Sequence, residues 1–246
     1  MRIGALVEIR NLVLRKDPFV MKRLPQLLKL FRANLSDADD LMYLTAIRGL
    51  GVLGDVQPQL IMPSLVADYQ SPALPLQIRL KLGEALVQIS QRLGQMLHVY
   101  AELVVAAFLK AATDPTDADL RASGLSNLGS MCFNMRFAVH PWIRDIMETT
   151  FSRLACDEEI TVRRACIFLF DQLLVAFKDE LMEFIPEYIP RIYTAMRALD
   201  TVQSDPVVLF HIRHAIQVLE SSLESYYAPS NAGPQEDPIP SIFRFS

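Results

Sequence analysis

Residues 117–131 read DADLRASGLSNLGSM, and their pattern decides the fold. An acidic turn leads into Leu120, and Leu120, Gly124, Leu128 and Met131 then recur at helical spacing, so one face of the segment is apolar. Arg121 comes early on this helix, within reach of a turn carboxylate such as Asp117 or Asp119. Ser123 and Gly124 are small enough for a second helix to approach closely. The same order of acidic turn, early arginine and small residue returns in 157–169 (DEEITVRRACIFL) and, more loosely, in 205–219 (DPVVLFHIRHAIQVL). This is the second helix of a repeated helical hairpin.

The spacing of the arginines gives the repeat length. Arg79, Arg121 and Arg163 are about 42 residues apart and Arg213 follows after about 50, the range of HEAT and armadillo arrays. No strand alternation and no hairpin-type glycine turn interrupts the series. The expected fold is therefore all-α, a solenoid of HEAT/armadillo-like hairpins over residues 1–226, each unit burying its apolar face on its neighbours. Arg79, Arg121, Arg163 and Arg213 are expected to form a structural ladder between units.

Working outward, the predicted helices are 1–14, a helix opened by Asp17-Pro18 that carries Leu24, Leu27, Leu28 and Phe31, and then 41–53, 57–69 and 76–93. They continue as 96–113, 117–135, 141–154, 160–177, 181–199 and 207–226. Asp before Pro is a start signal, with Asp as N-cap and Pro in the first turn, and it recurs at Asp114-Pro115 and Asp205-Pro206. Pro186 and Pro190 are expected to kink or break the helix that contains them. Helix 1–14 reads as a second helix without its first, which points to a fragment or a shortened gene product and predicts an exposed apolar face there. The tail 227–246, rich in Pro, Ser, Asn and Gly, is expected to be disordered.

Composition excludes several functions. The chain is 51% hydrophobic with 9 glycines, which suits a packed helical protein. Its net charge is −4 with interspersed signs, so no concentrated basic face is available for nucleic acid. The start of the chain is too short in its apolar run for a signal peptide. The most apolar helix, 97–112, carries His98, Glu102 and Lys110 and falls short of the ~20 apolar residues of a membrane span. Cys132, Cys156 and Cys166 have no metal-type spacing, and Cys132 and Cys166 sit on apolar faces as small hydrophobes in a reducing compartment.

Catalytic chemistry finds no foothold. There is no phosphate loop, HExxH or GxSxG motif. The acidic pairs Asp39-Asp40 and Glu158-Glu159 lie in turns, where they favour the positive helix end. His211 and His214 share a helix face, but nothing nearby in sequence completes a four-ligand metal set, so they read as packing or surface histidines. No cofactor is expected. A partner surface on the exposed sides of the stacked second helices is expected instead, at Arg48, Lys81, Asn127 and Arg164.

The strings DDLMYLTAIRGL at 39–50, with Asp55, Pro58 and Tyr69, and LRASGLSNLG at 120–129 resemble the C-terminal HEAT region of the transport-and-Golgi-organisation protein six family, whose fungal relatives are RNA polymerase II assembly factors. VRRA at 162–165, and IRHA at 212–215 running on to Leu219-Glu220, are similar to its later helices. Family members are several times longer, and residues 234–246 depart from the basic and apolar stretch with which they continue. The resemblance implies a non-enzymatic scaffold in RNA polymerase II assembly or nuclear import, or in protein secretion and Golgi organisation. It implies polymerase subunits, assembly and import factors or secretory-pathway components as partners, and a cytoplasmic site with shuttling to the nucleus or peripheral Golgi attachment. The alternative is an importin- or adaptin-like transport adaptor fragment.

Overall fold

The computed structural model describes residues 2–178 and 180–227, which contain helices and turns and no strand. The α-helices are α1 (Arg2–Leu14), α2 (Pro18–Met21), α3 (Leu24–Ala33), α4 (Asp40–Val56), α5 (Pro58–Gln70), α6 (Leu76–Leu93) and α7 (Ala101–Ala112). They continue as α8 (Ala118–Met135), α9 (Ile143–Cys156), α10 (Ile160–Phe177), α11 (Leu181–Phe184), α12 (Ile189–Val202) and α13 (Pro206–Tyr227). Tyr227 thus closes the last helix. The expectation of disorder for the rest of the tail lies outside the described residues.

The helices form two rows. The second helices stack consecutively, α1 on α4, α4 on α6, α6 on α8, α8 on α10 and α10 on α13. The first helices α3, α5, α7, α9 and α12 pair with α4, α6, α8, α10 and α13, and α5 packs on α7 and α7 on α9. This is the expected α-solenoid. One apolar core runs along its length, from Leu6 and Val13 through Phe31, Tyr69, Phe108 and Leu128 to Phe170 and Leu219. The face of α1 is only partly exposed: Leu6 and Val13 are buried, and Ile3, Val7, Ile9 and Leu12 are half-buried.

Small residues set the closest approaches. A Cβ on Gly124 would stand 2.6 Å from the Ala112 nitrogen and 2.9 Å from the Phe108 oxygen, so α8 crosses α7 backbone to backbone there. A Cβ on Gly49 would fall inside the Phe31 ring, and this is how α3 seats on α4.

Helix starts follow local chemistry. Asp17 accepts hydrogen bonds from the Phe19 and Val20 N–H groups, Asp39 from Leu41, and Asp205 from Val207 and Val208. Asp114 differs from expectation: it accepts from the Thr116 and Asp117 N–H groups in a turn, and Asp117 caps α8 through Leu120.

Three predicted helices are cut. Pro25, in the first turn of α3, restarts the chain after α2. The stretch predicted as 96–113 begins with a 3₁₀ turn, Gly94–Val99, after Gly94 takes φ +51°, and the axis bends by 119° before α7. Pro186 and Pro190 separate α11 from α12, as their positions predict.

Candidate partner-binding face

Three successive second helices, α8, α10 and α13, enclose a groove of about 320 Å³. Ala122 and Ser126 of α8 form one wall, Thr161, Arg164, Ala165 and Phe168 of α10 the floor, and Asp205, Val207, Val208 and His211 the other wall. A smaller cavity continues along the α10–α13 seam, lined by Val175, Lys178, His214, Gln217, Val218 and Ser221.

The helical period puts Arg164, Phe168 and Val175 on one side of α10. Arg164 is exposed and pairs with Asp205, whose carboxyl is held below its ordinary range chiefly by the Val208 N–H, then by Val207 and Arg164. The rings of Phe168 and His211 meet nearly perpendicular, with centres 5.5 Å apart.

Beneath the seam lies Asp171, 2% exposed in the middle of an apolar helix. His211 Nδ1 stands 2.7 Å from its Oδ2 and His214 Nδ1 2.7 Å from its Oδ1. Burying a carboxylate is costly unless it is hydrogen-bonded, and the two imidazoles supply those bonds from the next unit. The histidines are therefore packing residues of a specific kind, a two-donor clamp on one acid. No cluster of three or more His, Cys, Asp or Glu suited to a metal occurs among the described residues.

The four predicted partner positions do not share one surface. Arg48 on α4 and Arg164 on α10 are exposed, as expected. Lys81 is turned into the structure: its Nζ donates to the Leu35 oxygen at 2.8 Å and lies over the Tyr43 ring. Asn127 is buried between α6 and α8, donates to Ser123 Oγ at 3.3 Å and lies beside Gly83 and the Tyr69 hydroxyl. It fills an interhelical niche, and burial pushes the Tyr69 phenol up.

The arginine ladder is partial. Arg121 reaches forward to Asp157 in the next unit, through Nε at 2.7 Å and Nη2 at 3.0 Å, and back to the Asp114 oxygen; its guanidinium bonds neither the Asp117 nor the Asp119 carboxylate. Arg79 makes its hydrogen bond within its own hairpin, to the Tyr69 oxygen at 2.8 Å, and Arg213 likewise pairs with Asp200. Arg163 is exposed, and Arg164 makes the contact to the next unit in its place.

A second groove, of about 660 Å³, opens on the other row between α9 and α12, with Phe151, Leu154, Ala195 and Leu199 in its walls. Arg191 bridges its end, paired with Glu148 and lying 3.8 Å from the Phe151 ring centre. Among the described residues no single helix is long and apolar enough to cross a membrane, although α6 with its 3₁₀ extension and α7 pass that test together as a bent pair.

Stacked hairpins joined through buried side chains, with grooves between their second helices, define a repeat solenoid of the HEAT/armadillo class. Solved solenoids share the fold: a Kap121p mutant superposes with a TM-score of 0.60 at 14% identity, over 92% of this chain and 21% of that one. The designed armadillo repeat protein YIII(Dq)4CqI gives 0.55 at 11% identity, over 88% and 92%.

The resemblance read from the sequence is borne out. Residues 1–96 match the family described as "Required for nuclear transport of RNA pol II C-terminus 1". The chain is 22% identical to the Drosophila melanogaster Transport and Golgi organization protein 6 over 89% of its own length and 24% of that protein's. It is 25% identical to the Saccharomyces cerevisiae RNA polymerase II assembly factor RTP1, over 88% and 23%. The chain spans about a quarter of the length of these curated relatives.

Proposed function

We propose that this chain is a non-enzymatic, protein-binding part of an RNA polymerase II assembly and nuclear-import scaffold, working in the cytoplasm and shuttling to the nucleus. The observation that supports it is the alignment of nearly the whole chain with a yeast protein named for polymerase assembly, on a fold that presents grooves between stacked helices. Polymerase subunits and their assembly or import factors are the partners this reading names. The work is done by shape, exposed cations and aromatic side chains on the second-helix face, with no catalytic residue or cofactor in the mechanism.

A second reading rests on the fruit-fly relative, whose name places it in transport and Golgi organisation. In that case the same face holds a secretory-pathway component. The fold alone would equally serve an importin- or adaptin-like adaptor.

Affinity capture with the chain as bait, repeated with Arg48→Glu and Arg164→Glu, separates these readings. Capture of polymerase subunits that is lost on charge reversal supports the first. Capture of coat or Golgi tethering components supports the second. Capture of import cargo or adaptor partners alone overturns both.

A further inference from the structure

The groove between α9 and α12 breaks the pattern of its row. α5 packs on α7 and α7 on α9, but α9 and α12 part and leave about 660 Å³ between them. The small side chains of Ala155, Ala195 and Ala198 open it, and Phe151, Leu154 and Leu199 make its walls apolar. Arg191 is the one charged side chain among the described residues that line it, and Glu148 already matches it. The groove therefore suits an apolar segment that brings little charge.

The chain itself supplies such a segment. Residues 228–238 hold the Pro, Ser, Asn and Gly of a linker, whereas 239–245 read IPSIFRF. Ile239, Ile242, Phe243 and Phe245 are apolar and Arg244 is the one charge in this stretch. Pro238 and Pro240 favour an extended backbone over a helix. In an extended chain Ile239, Phe243 and Phe245 fall on one side and Ile242 and Arg244 on the other. One side can thus enter an apolar groove while the cation stays in water.

The end of α13 sets the reach. α12 and α13 run antiparallel, since Arg213 meets Asp200 and, a turn or two later, Glu220 meets Arg197 and Tyr193. Tyr227 lies about 10 Å beyond Glu220, level with the end of α12 that carries Pro190 and Arg191. The eleven residues 228–238 span up to about 36 Å, enough to pass around α12, itself about 10 Å across. From Pro190 to Leu199 the groove runs about 13 Å, the length of about four extended residues.

We propose that residues 239–245 dock in the α9–α12 groove of their own chain, with Phe243 and Phe245 as anchors. The segment enters at the Arg191 end and runs toward Leu199. A short tether raises its local concentration to about the millimolar range, so even a small apolar contact is populated. The site lies on the row of first helices, apart from the second-helix face assigned to partners. A protein that reached this groove would have to displace the segment.

The geometry supplies its own reporter. Cys156 follows Ala155 at the Leu199 end and is exposed, whereas Cys132 and Cys166 are buried. Ser246 is the residue after the docked stretch. The test is the rate at which the folded full chain bearing Ser246→Cys cross-links to Cys156 under diamide, followed by peptide mapping. A cross-link within one chain is expected, at a rate independent of chain concentration. Adding Phe243→Ala/Phe245→Ala, which lies outside the helices, is expected to slow it about tenfold. Ala198→Glu, at an exposed groove position, is expected to slow it by a similar factor.

An unchanged rate in the phenylalanine variant would mean that the tether alone brings the thiols together, and overturns the proposal. So does the absence of a cross-link in the unmodified groove. Cross-links between chains, quickening with concentration, would assign the groove to a second copy. Should Ala198→Glu leave the rate unchanged but remove a captured protein, the groove belongs to that partner and the self-docking is wrong. If Ala198→Glu fails to fold, the phenylalanine variant still decides.

Discussion

Arg121 and Asp157 are joined across the boundary between two hairpins by a pair of hydrogen bonds, Nε to Oδ2 at 2.7 Å and Nη2 to Oδ1 at 3.0 Å. The carboxylate is 2% exposed and the guanidinium side chain 12%. Asp157 also accepts from the Glu159 N–H at 3.2 Å and lies 3.6 Å from Arg153. One buried acid thus orders its own turn and fastens the preceding unit to it. Removing the acid strands the guanidinium, so Asp157→Ala is expected to cost about 3 kcal/mol in urea unfolding. Arg121→Lys should recover only part of the contact, because an ammonium cannot present two parallel donors. A loss under about 1 kcal/mol for Asp157→Ala would mean that the pair is solvated like a surface bridge.

The same pair gives a signed pH dependence. Hydrogen bonds from Arg121 hold the Asp157 carboxyl below its usual range, against the opposing effect of burial. A depressed folded pKa contributes stability that is complete above the unfolded value, about 3.9, and is lost as pH falls through the folded one. The stability gap between the unmodified chain and Asp157→Asn is therefore expected to stay level from about pH 7 to about pH 5 and to shrink below about pH 4. Denaturant midpoints taken across that range check it, and a gap already closing above pH 5 would assign the acid sensitivity to another group.

Two glycines separate close packing from mere helix composition. At Gly124 an added methyl meets backbone atoms at 2.6 and 2.9 Å, so α7 and α8 must part. Gly124→Ala is expected to cost about 3 kcal/mol, the upper end for overpacking. At Gly51 the nearest atom is the Gln88 Oε1 at 3.5 Å, an ordinary contact with a flexible side chain. Gly51→Ala is expected to gain about 0.5–1 kcal/mol from helix propensity. Thermal unfolding of the two variants should move in opposite directions.

The repeat was legible because its signals are local. Helices 76–93 and 160–177 have the predicted ends, since apolar periodicity and flanking turns fix them without reference to the rest of the chain. The corner before α7 was not legible. It depends on Gly94 in left-handed backbone and on a 3₁₀ turn, as the entry to α9 depends on Arg136 and its own 3₁₀ turn, geometries that packing imposes and that no periodic pattern announces.

The ladder failed at Arg163 for a related reason. Asp157 stands three residues before its helix, whereas Asp205 stands directly before α13, so the acid meets a different phase of the preceding helix and Arg164 reaches it. The Asp171 clamp did leave a signal, an aspartate inside the apolar run FLFDQLL one repeat ahead of HIRH. Reading it required knowing which side of α10 faces α13.

The three cysteines should differ in reactivity by position alone. Cys132 and Cys166 are buried, and burial pushes each thiol up to about 12, whereas Cys156 at the end of α9 is exposed. Thiolate is the reacting form, so one of the three thiols is expected to react promptly with an aromatic disulfide reagent in the folded chain and the other two only on unfolding. Cys156→Ser should abolish the prompt phase. Prompt release of more than one equivalent would mean that α8 or α10 opens on the timescale of the assay.

Asp171→Asn tests whether the last unit is held by its clamp. The amide keeps the size of the carboxylate but has one oxygen to accept with, and it turns an N–H₂ group toward the second imidazole. One of the two bonds at 2.7 Å must then be lost, or one ring must move its proton to Nε2 so that Nδ1 accepts. Either outcome is expected to cost about 1–2 kcal/mol. Because Asp171 contacts α13 and no earlier unit in this way, the loss should be local. Hydrogen exchange is expected to quicken through 206–227 and to stay unchanged in α4 and α6. Uniform quickening along the chain would show instead that the units unfold as one body. Unchanged exchange in α13 would show that its apolar contacts, Ile212, Ala215 and Leu219 among them, hold it without the acid.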